Sequence, residues 1–418
     1  MPAKKRTGSK LDVVIAGGGV AALEAALAFR NLAAGEVNLT LLSPAEQFVY
    51  RPVAVLEPFA GKPPRGLALE TFAAEIGASF VHDSVASVDP DSKVLVTGGE
   101  AELPYGALVV ATGARAGAAP PGTAVVNVAR MAESVIPLID GIRERSIRSL
   151  CLVAPRRTWP LPVYELALLL RERSREPSGS ETEPPPGADA EITVLTAEAA
   201  PLAVFGSTVS EALARLLTDA EIRTIVGSEL HSAGGNLTFA PSGAPARFDR
   251  LVSMPELKGP AIPGLPADAG GFVPITSECA VIGVDRVYAA GDATDFPVKF
   301  GGIAAQQADT AASQIAATAG AGTEPVPFDG TVHGVLQCGW TPLEQLYFTA
   351  HVQRGEVRDS TVSRTPISSG AKIGARYLAP YLEARWAGAA GAFTDELSWE
   401  AHAKPPSSNG HQPQPATQ

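Results

Sequence analysis

The sequence has few of the residues that build disulfide frameworks, cysteine metal sites and membrane spans. Its 418 residues include three cysteines, which are widely spaced and form no Cys-x-x-Cys motif. This usage excludes a disulfide framework and a cysteine zinc site, and it favours a reducing cytoplasm. The sequence contains no run of about 18 consecutive apolar residues, so it predicts no membrane-spanning helix.

Positive charge is also scarce. The chain has 33 Lys and Arg residues against 44 Asp and Glu residues, which gives a net charge of −11. Binding of nucleic acid requires a basic face that neutralises phosphates, so this balance argues against nucleic acid as the main partner. The first ten residues are basic but lead directly into an apolar strand, unlike a signal peptide. The 41 glycines and 36 prolines are typical of a loop-rich α/β protein, and the length suffices for two or three domains.

The segment Leu11–Glu24 joins an apolar strand to a helix through a glycine-rich turn. Gly17 would form the tight turn, Gly19 would permit the close approach of a pyrophosphate, and Ala22 would let the helix pack on the strand. The helix also offers free N–H groups and a positive dipole end to the phosphates. An ordinary strand–helix turn is the alternative, because one match to this pattern is a weak signal.

The next strand, Val37–Leu42, ends at Ser43. Ser43 lies where a dinucleotide-binding unit usually has an acid that binds the adenosine ribose. Ser43 could donate to a ribose hydroxyl, and Glu46 is a possible substitute for the missing acid.

Two further buried-strand patterns end in small residues. Leu108–Ala114 ends in a small-residue turn, and Arg286–Asp292 ends in a glycine and an acid. Asp292 is placed to bond a ribityl hydroxyl, while Gly291 would admit the cofactor close to the backbone.

Together these segments resemble a known family. Gly17-x-Gly19, Ala111–Gly113 and Gly291–Asp292, in this order, are similar to the FAD-dependent pyridine nucleotide-disulfide oxidoreductases, the glutathione-reductase-like flavoproteins. Phe48–Pro52 and Pro297–Ala308 resemble the branch that holds type II NADH dehydrogenases and sulfide:quinone reductases. The resemblance covers residues 11 to about 385.

The resemblance implies an FAD site in the first domain. Lys299 and the N-terminus of a helix over residues 302–317 would stabilise the negative charge of a reduced flavin. Gln306 or Gln307 would line an acceptor channel, or else lie on the helix surface as ordinary amides. The residues expected to bind the cofactor are Gly17, Gly19, Val20, Ala21, Ser43, Arg51, Val85, Ala111, Thr112, Gly113, Gly291, Asp292 and Lys299.

Residues 150–196 have the strand–helix–strand pattern of a second, nicotinamide-binding domain. The turn Pro155–Pro162 between its first strand and the helix contains no glycine. Proline and arginine do not give the close backbone approach that a pyrophosphate needs, so NAD(P)H binding is doubtful. Arg156 and Arg157 could contact phosphate through their side chains, or could simply be solvated.

Glu165 is the candidate catalytic residue. When the turn is aligned with the family pattern, Glu165 takes the position of a glutamate that faces the nicotinamide side of the flavin in relatives. It could relay protons to the reduced flavin or to a quinone, provided that burial raises its affinity for protons. A carboxylate that only stabilises the first turn of a helix is the alternative.

The cysteines fit the family less well. Relatives similar to sulfide:quinone reductase use cysteines that face the flavin. Cys338 lies in the region where such relatives carry one of them, but it has no evident partner in the sequence. Cys151 lies inside a strand, where an inert buried thiol is expected.

The sequence therefore predicts an α/β protein with two Rossmann-like domains and a small C-terminal α+β domain. The boundaries are residues 10–120 and 250–324 for the discontinuous FAD domain, 121–249 for the NAD(P)-binding-like domain, 325–400 for the C-terminal interface domain and 401–418 for a disordered tail. Residues 171–190 are also predicted to be disordered. Tyr377, Tyr381 and Trp386 could form a face toward a membrane or quinone, or belong to a core or dimer-facing helix.

We predict that the flavin passes two electrons from NAD(P)H or a small sulfur reductant to a quinone-like or other acceptor. The expected partners are small molecules, with no metal and no nucleic acid. A cytoplasmic location is predicted, with peripheral contact to a membrane and a homodimer left open. A flavin-bearing binding or regulatory protein with a degenerate nicotinamide site is the alternative.

Overall fold

The fold is described from a computed structural model. The structure describes residues 10–60, 64–118, 122–176, 187–233, 236–339, 345–353, 355–365 and 372–387. The predicted tail 401–418 and residues 177–186 of the predicted disordered segment 171–190 lie outside these ranges. The start of that segment is helical as far as Ser174, which the prediction of disorder missed.

The strands, in chain order, are β1 (Leu11–Ala16), β2 (Val37–Ser43), β3 (Gln47–Val49), β4 (Gly66–Ala68), β5 (Ser79–His82), β6 (Val85–Asp89), β7 (Val94–Thr97), β8 (Glu102–Pro104), β9 (Ala107–Val110), β10 (Arg115–Ala116), β11 (Ala124–Val125), β12 (Ser149–Ala154), β13 (Glu191–Thr196), β14 (Arg223–Ile225), β15 (Glu229–Ala233), β16 (Asn236–Ala240), β17 (Ala244–Pro245), β18 (Arg250–Ser253), β19 (Leu257–Lys258), β20 (Val287–Ala289), β21 (Thr331–Gln337), β22 (Gln345–Gln353) and β23 (Glu356–Ser363).

The α-helices are α1 (Val20–Leu32), α2 (Glu57–Ala60), α3 (Leu69–Ile76), α4 (Met131–Arg143), α5 (Pro162–Ser174), α6 (Ser207–Asp219), α7 (Gly301–Ala319) and α8 (Leu378–Ala387). Short 3₁₀ helices cover Arg51–Leu56, Val128–Arg130, Ala203–Phe205 and Gly291–Ala293.

The first sheet is parallel and has the order β20-β9-β1-β2-β5. Its central strands are continuous apolar runs, and all four residues of Ala107–Val110 are buried. Such runs are typical of parallel strands that are covered on both faces. Helices α1 and α7 pack against each other and share one apolar cluster with β1 and β9.

The second sheet is also parallel and has the order β11-β18-β12-β13-β14. Helix α5 connects β12 to β13, which gives the predicted strand–helix–strand unit. The strand Arg250–Ser253 pairs with β12 and β11, so the chain returns to the first domain only after residue 253. The predicted boundary at residue 250 assigns this strand to the first domain, whereas it pairs in the second sheet. An apolar strand carries no local sequence signal for the sheet that it joins.

The C-terminal region forms an antiparallel sheet, β21-β22-β23, that packs on the second domain. The rings of Phe205, in the second domain, and Phe348, in β22, have centroids 4.9 Å apart. Two parallel Rossmann-like sheets and a small antiparallel C-terminal region confirm the predicted fold class.

Helix α8 lies against the first domain. Its Tyr381 ring meets Phe72 edge-on, and its Trp386 ring meets Tyr50 in the same way. Trp386 is buried, so the structure shows a core-facing helix where the sequence also allowed a membrane-facing one. This helix begins at Leu378. No helix among the described residues combines the length and apolar character needed to cross a bilayer.

Candidate functional site

Three turns meet at the carboxyl edge of the first sheet. A Cβ on Gly17, after β1, would overlap the carbonyl oxygen of Ala111, after β9, so these turns touch. A Cβ on Gly291, after β20, would lie 3.3 Å from the Cβ atoms of Ala21 and Ala304, at the starts of α1 and α7. Open parallel sheets bind ligands in the crevice at this edge. The structure thus brings together the three segments on which the FAD prediction depends.

Glycine has two different uses in the first turn. Gly17 has φ +142°, which residues with a side chain rarely adopt, so the fold itself requires glycine there. Gly19 has φ −98° and ψ −167°, which is extended backbone that other residues adopt readily. A Cβ on Gly19 would meet no heavy atom of the described residues within 4 Å. The fold does not explain glycine at position 19, whereas a ligand that approaches the backbone does.

The N-terminus of α1 borders this space. Gly19 is its N-cap, the first turn contains no acidic residue, and no side chain within the described ranges caps it. The first N–H groups of a helix lack partners within the helix. Val20 and Ala21 therefore present N–H donors and the positive dipole end to an anion in this space.

Asp292 lies at the same edge of the sheet, in the short 3₁₀ helix Gly291–Ala293. Its Oδ2 accepts a hydrogen bond of 2.8 Å from the indole Nε1 of Trp159, a residue of the second domain. Burial raises the pKa of Asp292, and the Trp159 hydrogen bond, Lys299 and Arg51 oppose this shift. A carboxylate in this setting is a strong acceptor for a cofactor hydroxyl.

Lys299 is buried and has two contacts within the protein. Its Nζ lies 4.1 Å from the centroid of the Phe272 ring, and it donates to the carbonyl of Thr294. Burial lowers the pKa of Lys299 to about 8, against the opposing effects of Asp292 and Asp295. Its charge contributes to the field at Asp292 from within the protein.

The remaining predicted cofactor residues lie at different depths. Ser43 is buried at the end of β2, and its Oγ accepts from the N–H of Ala45. Thr112 is exposed, and Gly113 has φ +71°. Arg51 is exposed and acts on Asp292 electrostatically, whereas Val85 begins β6 in the separate sheet β6-β7-β8. The cofactor roles of these residues stay predictions.

The two glutamines of α7, Gln306 and Gln307, form hydrogen bonds that connect this helix to neighbouring elements. Gln307 is buried, and its Oε1 accepts from the N–H of Gly291 at 2.8 Å. The amide of Gln306 donates to the carbonyl of Thr331, at the start of β21. Neither is a plain surface amide: Gln307 fixes the turn that carries Asp292, and Gln306 ties α7 to the C-terminal sheet.

Glu165 lies in the first turn of α5 and is 1% exposed. Its Oε1 accepts 2.9 Å from the N–H of Gln337 and 2.6 Å from Nζ of Lys372. Both partners belong to the C-terminal region. Glu165 is therefore not simply a carboxylate at a helix dipole, because it forms a buried ion pair between two domains.

This ion pair lies beside the start of α7. A Cβ on Gly301 would come within 3.0 Å of two atoms of the Ile373 side chain, and Ile373 follows Lys372 in the chain. The amino end of α7 faces the crevice through Ala304, which approaches Gly291. Glu165 and Lys372 are thus placed where the second domain, the C-terminal region and the amino end of α7 meet.

All three cysteines are described, and each is a free thiol. Cys151 is fully buried in β12, and burial raises its pKa to about 12. Burial also raises the pKa of Cys338 to about 12, and Glu165 adds to this shift. Neither thiol is activated as a nucleophile, because a reactive cysteine needs a lowered pKa.

The glycine-free turn of the second domain has its polar groups engaged. Arg156 forms an ion pair with Glu229 at 2.6 Å. Arg157 has its guanidinium 5.8 Å from the centroid of Phe272, and its carbonyl accepts from the N–H of Leu257 at 2.6 Å. The two arginines that could contact a phosphate therefore have other partners.

Glu198 occupies the region where an acid would bind a ribose. It follows the end of β13 by two residues, and its Oε1 accepts from the N–H of Val204 at 2.9 Å. Burial raises the pKa of Glu198. Its carboxylate therefore stabilises the adjacent loop through this hydrogen bond.

Sequence reasoning missed Trp159, Lys372 and Glu198. An aromatic residue in a turn that should contain glycine is a signal for Trp159. An acid just after the second strand of a nucleotide-binding unit is a signal for Glu198. Lys372 is 207 residues away from its partner, and no local pattern connects the two.

Comparison with known proteins agrees with this architecture. Residues 11–143 match the family described as pyridine nucleotide-disulphide oxidoreductase. No curated protein sequence matches the chain.

Solved structures extend the similarity to most of the chain. The sulfide:quinone oxidoreductase of the hyperthermophilic bacterium Aquifex aeolicus is 16% identical, with a TM-score of 0.73, over 85% of this chain and 87% of that one. A ferredoxin reductase from Rhodopseudomonas palustris is 18% identical, with a TM-score of 0.59, over 81% and 82%. An NAD-dependent persulfide reductase from A. fulgidus is 17% identical, with a TM-score of 0.58, over 82% and 64%.

At these identities the solved structures establish the fold alone. Residues 11–143 are similar to the pyridine nucleotide-disulphide oxidoreductase family, and the chain as a whole shares the fold of these three solved structures.

Proposed function

We propose that this chain is an FAD-dependent oxidoreductase that passes two electrons from a small reductant to a quinone-like acceptor. The observation that carries the proposal is the space in front of Gly19, where the fold tolerates a side chain but the residue is glycine. The N–H groups in the first turn of α1 suit a pyrophosphate in this space. Asp292, after β20 at the same edge of the sheet, suits a ribityl hydroxyl. FAD has both groups, whereas FMN lacks the pyrophosphate.

Bound FAD would supply the two-electron chemistry, and the protein would supply charge and protons. The amino end of α7 would stabilise negative charge on the cofactor. Glu165 and Lys372, 2.6 Å apart, form a pair that can hold a proton and deliver it to an acceptor at the domain junction. This assignment keeps Glu165 as the proposed proton-relay residue and adds Lys372 as its partner.

A small reductant is favoured over NAD(P)H as the donor. The turn of the second domain has no glycine, its arginines are engaged with Glu229 and Phe272, and Glu198 bonds its own loop. Two structures with the same fold are named for sulfide and persulfide, so a sulfur species is the proposed donor class. Its oxidation would not use a disulfide of this chain, because all three cysteines are free thiols and burial raises the pKa of each.

The FAD site is tested with two glycines that both face open space. Neither Gly19 nor Gly35 would meet a heavy atom of the described residues within 4 Å after addition of a Cβ. Gly19→Ala should weaken FAD binding at least about tenfold, which is about 1.4 kcal/mol, and leave the melting temperature of the apoprotein unchanged. Gly35→Ala should leave both unchanged. Equal FAD affinity in the two variants, measured by flavin fluorescence quenching, would refute the site.

A flavin-bearing regulatory protein is the second candidate. The engaged turn of the second domain favours it, because that domain then has no donor to present. Anaerobic mixing with sulfide, NADH or NADPH separates the two candidates. Loss of flavin absorbance with a donor, and its return with a soluble quinone, would support the oxidoreductase, whereas an unchanged spectrum with every donor would support the regulatory protein.

A further inference from the structure

The turn Pro155–Pro162 of the second domain reaches across to the FAD crevice at one side chain. The indole N–H of Trp159 donates to Oδ2 of Asp292, which belongs to the first domain and lies 133 residues further along the chain. The ring itself packs against the apolar core shared by the second domain and the C-terminal sheet. Trp159 is therefore held at both ends, by one domain at its polar edge and by the other along its body.

We propose that Trp159 determines which donors reach the flavin: it fixes the carboxylate of Asp292 and blocks the approach of a nicotinamide ring from the second domain. The inference rests on the proposed FAD site and deepens it by naming the residue that sets donor specificity.

The position of the turn supports the blocking role. A ligand of the second parallel sheet would bind outside the carboxyl ends of its strands. The first of these ends is Ala154 of β12, and helix α5 begins at Pro162, so the turn lies along this edge. A nicotinamide carried by this domain would have to pass the turn to meet a flavin held at Asp292. Trp159 lies on this path, because it belongs to the second domain and donates a hydrogen bond to Asp292 of the first domain.

The turn is anchored on both sides of Trp159, which keeps the indole in place. On its N-terminal side, the carbonyl of Arg157 accepts from Leu257, and the guanidinium lies over Phe272 of the first domain. On its C-terminal side, Pro162 starts α5. An indole tethered in this way does not swing aside as an exposed tryptophan would.

The hydrogen bond supports the positioning role. It uses Oδ2 of Asp292, and the second oxygen, Oδ1, could accept from a cofactor hydroxyl. Burial raises the pKa of this carboxyl, and the indole N–H counters the shift. Trp159 therefore helps to keep Asp292 ionised and correctly oriented.

Two variants separate the two roles. Trp159→Phe keeps an aromatic body in the turn but removes the N–H, and Trp159→Ala removes both. Arg156→Ala is the matched control, since it changes the same turn but removes only an exposed ion pair with Glu229. Each protein is tested for FAD affinity by flavin fluorescence, and for flavin absorbance loss on anaerobic mixing with NADH or reduced nicotinamide mononucleotide.

The two variants should differ in a defined way. Trp159→Phe should bind FAD about tenfold more weakly, because Asp292 loses the N–H that orients its carboxylate, and should stay slow toward both nicotinamides. Trp159→Ala should also bind FAD more weakly, but both nicotinamides should reduce its flavin at least about tenfold faster than in the wild type. Arg156→Ala should match the wild type in both measurements.

Some results would overturn the inference. Wild-type FAD affinity in Trp159→Phe would remove the positioning role, and equal nicotinamide rates in the wild type and Trp159→Ala would remove the blocking role. If Trp159→Ala fails to fold, Trp159→Phe still decides the positioning role, and Trp159→Leu replaces it in the rate measurement. A wild-type protein that takes up no FAD would instead refute the proposed function, and the inference with it.

Discussion

Nζ of Lys372 lies 2.6 Å from Oε1 of Glu165, and the side chains of these residues are 11% and 1% exposed. The pair joins helix α5 of the second domain to the segment before α8. The pair therefore has a proposed role in proton transfer and a structural role as a buried ion pair between two domains. These two roles can be measured separately.

Loss of Lys372 should destabilise the protein more than loss of the charge on Glu165. Lys372→Met leaves a buried carboxylate with the Gln337 N–H as its remaining donor, and breaking a buried pair costs about 3–5 kcal/mol. In Glu165→Gln the amide oxygen can still accept from Gln337, and the lysine reaches water. Urea unfolding of both variants and the double variant measures this difference. A change below about 0.5 kcal/mol for Lys372→Met would contradict the prediction.

The proposed proton-relay role of Glu165 can be tested by the kinetics of flavin reoxidation. Glu165→Gln should slow the reoxidation of reduced flavin by an acceptor by about 10²-fold, as is typical for loss of an acid–base group. FAD content should not change, because Glu165 belongs to the other domain. Stopped-flow reoxidation with a soluble quinone is the measurement, and an unaltered rate at full FAD content would leave Glu165 with a structural role alone.

Asp292 should matter for FAD retention in a way that a buried thiol does not. Asp292→Ala removes the acceptor for a ribityl hydroxyl, and a hydrogen bond to a charged group contributes about 1.5–3 kcal/mol. Cys151→Ala, a small change in the core of β12, is the control. Asp292→Ala should bind FAD at least about tenfold more weakly and so retain less of it after purification. The retained FAD is released by heat and quantified by chromatography. Equal FAD content in the two variants would count against the assignment.

Most of the first domain could be predicted from its sequence, because its signals are local. The glycine turn, the apolar strands and the Gly291–Asp292 pair each lie within a few residues of one another. The contacts of the site come from distant parts of the chain, such as Trp159 with Asp292 and Lys372 with Glu165. No periodicity or propensity connects such residues, so these contacts could not be predicted. For the same reason the strand Arg250–Ser253 could not be assigned to its sheet.

A buried carboxyl pair under α8 predicts a pH dependence of stability. Glu24 of α1 accepts from the N–H groups of Tyr377 and Leu378 and lies against Asp309 of α7, with Arg376 nearby. Burial and then the Glu24 charge raise the pKa of Asp309, and burial raises that of Glu24. The native pair therefore holds its proton to a higher pH than the unfolded carboxyls, which ionise near pH 4. Stability should decrease as the pH rises from about 4 through the raised native value.

Asp309→Asn tests this effect, because the amide can donate to Glu24 at every pH. The variant should gain stability over the wild type on the alkaline side, by about 1.4 kcal/mol for each unit by which the native pKa is raised. Thermal melts on both sides of neutrality provide the measurement. If the melting temperatures of the two proteins depend on pH in the same way, Glu24 and Asp309 do not share a proton.

The order in which the chain is made has a consequence for the first domain. Strand β20 closes one edge of the first sheet, and α7 covers the face of α1, yet both follow the entire second domain. A nascent or truncated chain that stops near residue 143 would expose the apolar side of α1 and would lack the acid at position 292. The part of the chain that matches the family in sequence is therefore not an independent module. Its completion requires the synthesis of β20 and of α7, which ends at Ala319, and cofactor binding is expected only after translation has passed α7.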